Sequence, residues 1–286
     1  MAQRADGGPD GKAASLADLL TPIVEAEDRF LFPMTAEPWP RLYGGQILGQ
    51  ACAAAGMTVG GDRRLHSLHA YFLRSGDPAK PLSAIVERER DGQRYGVRHV
   101  LLKQDGQDVM RLTASYHDTE AGWQRDAAMP ACAAPETLDG DRDRVFDGIG
   151  DLPRTVAAPH DVLRGLDYRI ADPGEGDERA LWVRATTRPG DPRWLREAAV
   201  AYLSDFTLIG AALLHHRRAE GWKGIRGGSL DHALWLHRDP DPGDWLLYAQ
   251  QGLWSGGARA LAQGRLFDRA GHHIATIMQE ASVRPC

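Results

Sequence analysis

The sequence has few cysteines and no excess of basic residues, and each shortage excludes a class of protein. The three cysteines, Cys52, Cys132 and Cys286, are far apart and odd in number, so we expect no disulfide framework. No CxxC motif and no Cys/His spacing predicts a metal site. With 34 basic against 39 acidic residues and a net charge of -5, the chain has no electrostatic signature of a nucleic-acid or anionic-membrane partner.

The chain also lacks a long uninterrupted apolar run and an apolar leader. Its best candidate for a membrane span, Val200–Leu214, falls short of the about 20 residues that a span needs, and it contains Ser204, Asp205 and Thr207. It therefore predicts a buried helix of a soluble protein. The polar, glycine-rich N-terminus has no apolar core of a signal peptide, so the cytoplasm is the expected location.

An internal repeat organises the rest of the chain. The segment HSLHAYFLRSGDP resembles SLDHALWLHRDPDP, which aligns His69 with His232. The turn glycines Gly106 and Gly271, each in a later strand-rich stretch, are separated by nearly the same number of residues. This near-constant shift indicates that one unit is duplicated.

Each unit shows the same order of elements. An apolar helix, over about residues 44–58 in the first unit and about 195–216 in the second, precedes long alternating strands. This order predicts an α+β protein with a helix and an antiparallel sheet in each unit. The small residues of GQACAAAG are expected to pack the first helix closely on its sheet. The predicted segments are a disordered N-terminus at 1–14, a first unit at 15–119, a linker at 120–175 and a second unit at 176–286.

Four motifs give the chain a specific resemblance. In order, RLYGGQILGQA, HSLHAYFLRSGDPAKP, SLDHALWLHR and ATIMQEASVR resemble blocks of the type II acyl-CoA thioesterase family, over roughly residues 15–285. The resemblance implies a double hotdog fold, in which two tandem units each wrap an antiparallel sheet around a long helix. It also implies hydrolysis of fatty acyl-CoA to a free fatty acid and CoA, a role in lipid metabolism, and no metal or redox cofactor.

Three residues match the positions with which this family holds the attacking water. By resemblance, Asp205 is the carboxylate, Ser229 the hydroxyl and Gln279 the amide, although family members often have threonine in place of the serine. Asp205 lies on the apolar face of its predicted helix, where burial raises a carboxyl pKa and makes the carboxylate a better base. On the residues alone, a structural aspartate paired with an arginine or capped by hydroxyls is the alternative.

The two units differ at this site. The repeat places Ala114 opposite Gln279. It places Asp205 near Gly45 or Gln46. The first unit therefore lacks the carboxylate and the glutamine, and we expect one competent site per pair of units.

The start of the first helix is the candidate for substrate binding. Gly44 and Gly45 let backbone N–H groups approach a ligand closely, and a helix N-terminus suits a developing oxyanion. With Gln46 they are the predicted substrate contacts of the first helix. A phosphate-binding loop is the weaker interpretation, because GGQILGQ lacks the GK[ST] ending.

Histidines, a second carboxylate and an arginine cluster are further candidates. His66 is a predicted substrate contact, and His66 or His69 is an alternative general base, since imidazole titrates near neutral pH. Asp231 is an alternative second carboxylate. Arg94, in the turn RERDGQRYGVR, is a candidate for binding the CoA phosphates. The same turn contains Arg88, Arg90 and Arg98. The aromatic residues expected in the core rather than in an acyl tunnel are Tyr71, Phe72, Trp235 and Trp245.

Two rival functions are weighed against hydrolysis. A hotdog hydratase or dehydratase acting on acyl-CoA would want a histidine beside an acidic residue at the helix start, and Asp205 has no such neighbour. A non-catalytic acyl-CoA binding module has no reason to keep a buried, costly aspartate. We therefore expect a thioesterase whose partner is acyl-CoA, and the resemblance also implies a homo-oligomer, such as a dimer.

Overall fold

Helices and strands occur in two blocks along the chain. The computed structural model describes residues 15–34, 41–138, 165–171, 178–186, 188–190, 192–219 and 225–285. The helices are α1 (Leu16–Leu20), α2 (Gly44–Met57), α3 (Arg193–Ser204), α4 (Leu208–Ala212) and α5 (Leu214–Ala219). The strands of the first block are β1 (Ile23–Ala26), β2 (Arg29–Phe32), β3 (Arg64–Phe72), β4 (Leu82–Asp91), β5 (Tyr95–Gln104) and β6 (Gln107–His117). Those of the second are β7 (Leu166–Ile170), β8 (Glu178–Ala185), β9 (Ile225–Ser229), β10 (Asp231–Leu236), β11 (Leu246–Gly256), β12 (Arg259–Phe267) and β13 (His273–Pro285).

The described strands form one continuous antiparallel sheet. Their order is β1-β2-β4-β5-β6-β3-β10-β13-β12-β11-β8-β7, and β9 pairs with β13. The two units meet where β3 pairs with β10, with Leu68 opposite Leu234 and Ala70 opposite His232. The α+β class and the tandem arrangement of two helix-and-sheet units are therefore confirmed.

The long helices α2 and α3 pack against each other, in opposite directions, through glycines of α2. A Cβ added at Gly45 would lie 2.2 Å from the carbonyl oxygen of Tyr202, and one at Gly56 would lie 2.6 Å from Cβ of Trp194. Only glycine permits so close an approach of the two helices. At Gly56, which ends GQACAAAG, the prediction that small residues pack the helix on the sheet is wrong, because this residue faces the other helix.

The helix predicted over about 195–216 is interrupted. Helix α3 ends at Ser204 and α4 begins at Leu208, and Thr207 between them has a left-handed backbone with a φ of 62°. The sequence gives no sign of this break, because apolar residues continue at helical spacing across it. Asp205 consequently lies at the C-terminal end of α3 rather than within a helix.

The most apolar helical segment belongs to the core. Arg193–His216 is long and apolar enough to cross a membrane, yet 78% of its most apolar window is buried within the protein. Burial of this kind is typical of a core helix, and it agrees with the interpretation of this stretch from the sequence.

The correspondence between the units differs by one residue from the sequence alignment. His232 faces the core and is 1% exposed, whereas His69 is exposed on β3. The inward-facing residues of β3 in the same region are Leu68 and Ala70, so one of these is the counterpart of His232. The alignment of His69 with His232 is wrong, because a one-residue shift moves every side chain of a strand to the other face.

The segment predicted as a linker, 120–175, contributes to the second unit. Strand β7 lies within it and pairs with β8 at the edge of the sheet. Before β7, Met129 packs against a small apolar cluster that contains Trp182, whose Nε1 donates to the carbonyl of Ala133 at 2.9 Å. The N-terminal segment predicted as disordered, 1–14, lies outside the described residues.

Glu197 on α3 is expected to make the stability of the protein depend on pH. Its Oε1 accepts the backbone N–H of Leu65 at 3.0 Å, and burial raises its pKa to about 7. The unfolded chain ionises this carboxyl near pH 4.3 and the folded protein only near pH 7, so stability falls as pH rises through that window. Between pH 5 and pH 8 we expect wild type to lose about 2 to 3 kcal/mol more than Glu197→Gln, measured by guanidinium unfolding. The same pH dependence in both proteins would contradict this expectation.

Candidate active site

Three elements of the second unit bring the predicted site residues together. Asp205 follows the last residue of α3, Ser229 ends β9, and Gln279 lies on β13. Gln279 faces inward because it alternates along β13 with the outward-facing positions and shares a face with the buried Ile277 and Ala281. The pairing of β9 with β13 places Ser229 opposite Ala281, two residues from Gln279.

The carboxylate, the hydroxyl and the amide form one hydrogen-bonded group. Gln279 Nε2 donates to Asp205 Oδ1 at 2.5 Å and to Ser229 Oγ at 2.8 Å. Ser229 Oγ in turn lies 3.5 Å from Asp205 Oδ1. The orientation of the amide follows from this network, since a flipped amide would direct its oxygen at the carboxylate. Among the described residues, Gln279 Oε1 is a buried acceptor without a protein partner.

The electrostatics of Asp205 suit proton transfer. The side chain is buried, and loss of solvent around it raises its pKa above the usual value of a carboxyl. Hydrogen bonds from Gln279, from the backbone N–H of Gly45 and from Ser229 favour the ionised form and oppose this rise. A carboxylate in such surroundings can accept a proton from a neutral nucleophile.

The first unit closes the other side of the carboxylate. The backbone N–H of Gly45, in the first turn of α2, lowers the pKa of the Asp205 carboxyl, so the positive end of the α2 dipole faces the carboxylate. A Cβ added at Gly44 would lie 2.8 Å from Asp205 Oδ2 and 3.4 Å from Cε1 of Phe72. Gln46 is buried in the same turn. The site therefore lies between the two units.

The histidines considered as general bases lie elsewhere. His66 Nε2 is 2.7 Å from Ser115 Oγ, and burial lowers the pKa of His66. The strand between His66 and Phe72 is about 20 Å long at about 3.3 Å per residue, so His66 is remote from Asp205. His69 is exposed. Substrate binding by His66 stays a prediction. Within the described ranges, no group of three or more His, Cys, Asp or Glu could hold a metal ion.

Three arginines of the β4–β5 hairpin, Arg88, Arg94 and Arg98, have acidic partners. Arg94 is 68% exposed and pairs with Glu120 at 2.6 Å, and Arg88 pairs with Asp28 at 2.8 Å. Arg98 is only 1% exposed, so it cannot reach a phosphate of CoA. Substrate binding by Arg94 stays a prediction.

Asp231, the alternative second carboxylate, supports a strand of the site. Its Oδ1 accepts the backbone N–H of Glu280 at 2.8 Å, and the backbone N–H of Leu230 donates to the carbonyl of Glu280 at 2.9 Å. These bonds fix β13 at the residue that follows Gln279.

The aromatic residues divide between core and surface. Trp245 is buried in the small cluster beneath the segment around Met129, and Phe72 is half-buried beside Gly44. Tyr71 is 64% exposed, because it occupies an outward-facing position of β3. The prediction of a core position is therefore wrong for Tyr71.

The C-terminal end of α3, which carries Asp205, corresponds to the C-terminal end of α2 in the first unit. Thr58 is the C-cap of α2 as Asp205 is the C-cap of α3, and the two helices run in opposite directions. The alignment of Asp205 with Gly45 or Gln46 is therefore wrong. Those residues contact Asp205 or lie beside it because the N-terminus of one helix meets the C-terminus of the other.

In the first unit, an arginine lies beside the C-terminal end of α2, at the place that corresponds to the site in the second unit. Arg98, which is paired across the sheet with Ala114, donates from Nε to Thr58 Oγ1 at 2.9 Å. Its Nη2 donates to Asp91 Oδ1 at 2.7 Å. No carboxylate takes the helix-end position in this unit, so a single competent site stays the expectation.

Sequence reasoning missed the side chains that hold the chain around Asp205. Tyr248 OH donates to the carbonyl of Ser204, and Gln250 Nε2 donates to the carbonyl of Phe206 at 2.7 Å. The signal that could have found them is a polar residue on the buried face of WLLYAQQ, because buried polar side chains need partners.

Comparison with known proteins identifies the family. One family model, described as the acyl-CoA thioesterase N-terminal domain, matches residues 35–117, and a second, the acyl-CoA thioesterase C-terminal domain, matches residues 132–283. The chain belongs to the acyl-CoA thioesterase family. The resemblance predicted from the sequence and the class of thioester hydrolase are thereby confirmed.

Individual relatives of this acyl-CoA thioesterase agree with that assignment. Human acyl-coenzyme A thioesterase 8 is 32% identical over 97% of this chain and 92% of its own length. The structure of acyl-CoA thioesterase II TesB2 from Mycobacterium marinum has a TM-score of 0.79 at 31% identity, covering 95% of this chain and 99% of that one. A hot dog fold protein from Alicyclobacillus acidocaldarius has a TM-score of 0.75 at 18% identity, covering 95% and 98%, and shows the fold alone. The double hotdog fold is confirmed.

Proposed function

We propose that this acyl-CoA thioesterase hydrolyses fatty acyl-CoA with a water molecule that Asp205 activates and that Ser229 and Gln279 hold. The double contact of Gln279 Nε2, to Asp205 Oδ1 and to Ser229 Oγ, carries the proposal. A buried carboxylate that is paired with a cation is held in its ionised form. The groups that hydrogen-bond Asp205 are instead neutral donors, which leave the carboxylate free to gain a proton.

The reaction needs one proton transfer to Asp205 and one from it. Asp205 accepts a proton from water as the water oxygen bonds to the thioester carbonyl carbon. The tetrahedral intermediate then breaks its C–S bond, and Asp205 returns the proton to the sulfur of the departing CoA. A thioester is reactive enough for a positioned water and a base to suffice, without an acyl-enzyme.

In the tetrahedral intermediate, the carbonyl oxygen of the thioester becomes negatively charged and needs a hydrogen-bond donor. We assign this role to the N-terminus of α2, where the absence of a side chain at Gly44 leaves room beside Asp205 Oδ2. The N–H of Gly45 already stabilises the charge of Asp205, so the N–H of Gly44 is the candidate donor.

Substitution of Gln279 tests the proposal. We expect Gln279→Met to lower kcat by about 10- to 10²-fold, because it removes the amide that orders both the carboxylate and the hydroxyl. The matched control is Gln263→Met, on the neighbouring strand β12 at a half-buried position. Release of CoA thiol from a panel of short to long acyl-CoA substrates measures both and also gives the chain-length preference. Equal turnover by the two variants would contradict the proposal.

The hydroxyl is tested in the same assay. Ser229→Ala removes it and is expected to lower kcat about 10-fold, whereas Ser229→Thr keeps it and should stay within about threefold of wild type. A cytoplasmic location and a homo-oligomeric state stay predictions for this enzyme.

A further inference from the structure

Two side chains of β11 hold the chain on both sides of Asp205. Tyr248 OH donates to the carbonyl oxygen of Ser204, the residue before Asp205. Gln250 Nε2 donates to the carbonyl oxygen of Phe206, the residue after it, at 2.7 Å. We propose that Tyr248 and Gln250 are positioning residues that set the place of the Asp205 carboxylate relative to the attacking water. This inference rests on the proposed role of Asp205 as the base.

Gln250 also fixes an unusual backbone conformation. Thr207 has a φ of 62°, in the left-handed region that a β-branched residue rarely adopts. Its hydroxyl donates to Gln250 Oε1 at 2.9 Å, so the two ends of one amide hold Phe206 and Thr207. Such conformations persist only where the surrounding contacts determine them, and they concentrate at functional sites. The break between α3 and α4 is thus held by a tertiary contact.

The two side chains are themselves firmly placed. Both are buried at successive inward positions of β11, and Gln250 is 2% exposed. The ring of Tyr248 lies against Gly264 of β12, where a Cβ would come within 2.4 Å of Cε2 of the tyrosine. Strand β11 pairs with β8 on one side and β12 on the other. Groups on a strand paired at both edges hold a geometry better than groups on a loop.

The structural alternative is that Tyr248 and Gln250 only satisfy the carbonyls at a helix end that is buried. The two roles differ in what they do to the rate. Gln279, Ser229 and Gly45 come from other elements, so Asp205 meets them only while its own backbone stays in place. A shift of about 1 Å at a reacting group can cost about 10²-fold in rate, far more than partial loss of stability would remove from a folded enzyme.

The other titratable groups around Asp205 do not change their protonation state near neutral pH. The hydroxyls of Tyr43, before α2, and Tyr248 have pKa values raised well above the usual one, first by burial and next by the charge of Asp205. On β10, His232 Nε2 lies 2.8 Å from Ser204 Oγ, and burial lowers the pKa of His232 to about 3. The acid limb of the pH profile of the enzyme therefore reports Asp205.

The test compares Gln250→Met and Thr207→Val with Gln104→Met in the full-length protein. Gln104 is a buried glutamine of the first unit with the same kind of contact, since its Nε2 donates to the carbonyls of Asp77 and Lys80 at 2.9 and 3.1 Å. On the acyl-CoA that wild type hydrolyses fastest, we expect Gln250→Met and Thr207→Val to lower kcat by about 10- to 10²-fold, with KM within about twofold. The acid limb of kcat/KM should move to higher pH, because weaker hydrogen bonds to the carboxylate raise its pKa.

Two control variants give the limits. Thr207→Ser keeps the hydroxyl and should retain kcat within about threefold of wild type, and Gln104→Met should lower Tm without lowering kcat of the folded enzyme. If Gln250→Met matches Gln104→Met in Tm, kcat and pH profile, its role is structural and the inference is wrong. If Gln250→Met does not fold, the two Thr207 variants decide, and equal kcat in both overturns the inference.

Asp205→Asn, measured in the same series, separates this inference from the proposed mechanism. Full activity of Asp205→Asn would end both. An inactive Asp205→Asn together with a Gln250→Met that behaves like its control would end the positioning role alone.

Discussion

Asp205→Asn is expected to lower kcat by about 10²- to 10⁴-fold with little change in KM. Asparagine keeps the size of the side chain and can still accept a hydrogen bond, but it cannot take a proton from water at neutral pH. Because burial raises the pKa of Asp205, the wild-type side chain is a stronger base than an ordinary carboxylate. The loss should therefore fall on the chemical step. Release of CoA thiol at saturating acyl-CoA, with binding followed separately, measures it.

Glu197→Gln is the matched control, because it makes the same carboxylate-to-amide change at a buried position of α3. The partner of Glu197 is the backbone N–H of Leu65, which contacts none of the three site residues. Turnover of Glu197→Gln at pH 7 should therefore stay within about twofold of wild type. Wild-type kcat/KM should fall on the acid side as Asp205 becomes protonated, and that limb should be absent from Asp205→Asn. Full turnover by Asp205→Asn would place the base elsewhere, with His66 and His69 the next residues to substitute.

The resemblance to the thioesterase family pointed to the three residues that meet at the site, and local pattern agrees with it for two of them. Alternation along β13 sets the face of Gln279, and a carboxylate on an otherwise apolar helical pattern draws attention to Asp205. The structure brings both side chains to Ser229 within hydrogen-bond distance. The position of Asp205 at a helix end was not predictable, because the break depends on Gln250, 43 residues after Thr207 in the chain.

The face of the sheet on which a strand residue lies was the hardest feature to predict from the sequence, because strand pairing determines it. His69 and His232 look equivalent in the two repeats, but pairing puts one outside and one inside. Arg98 looks like its neighbours in RERDGQRYGVR, yet the register of β5 against β6 turns it toward Thr58 at the end of α2. Charge patterns on a hairpin do not distinguish a solvated arginine from a buried one, since both fit the same local alternation.

Arg98→Ala is expected to destabilise the protein by about 3 to 5 kcal/mol, a fall in Tm of about 6 to 20 °C. The substitution leaves a cavity and removes the donors to both oxygens of Thr58. Loss of the pair with Asp91 adds little, because that carboxylate is 47% exposed and solvent screens it. Arg111→Ala, an exposed arginine paired with Asp108, is the control and should melt like wild type. Below the transition, kcat of Arg98→Ala should equal that of wild type, because Arg98 stands where the first unit lacks a carboxylate. A fall of kcat in the folded variant would show instead that this second helix end takes part in turnover, and one competent site per pair of units would be wrong.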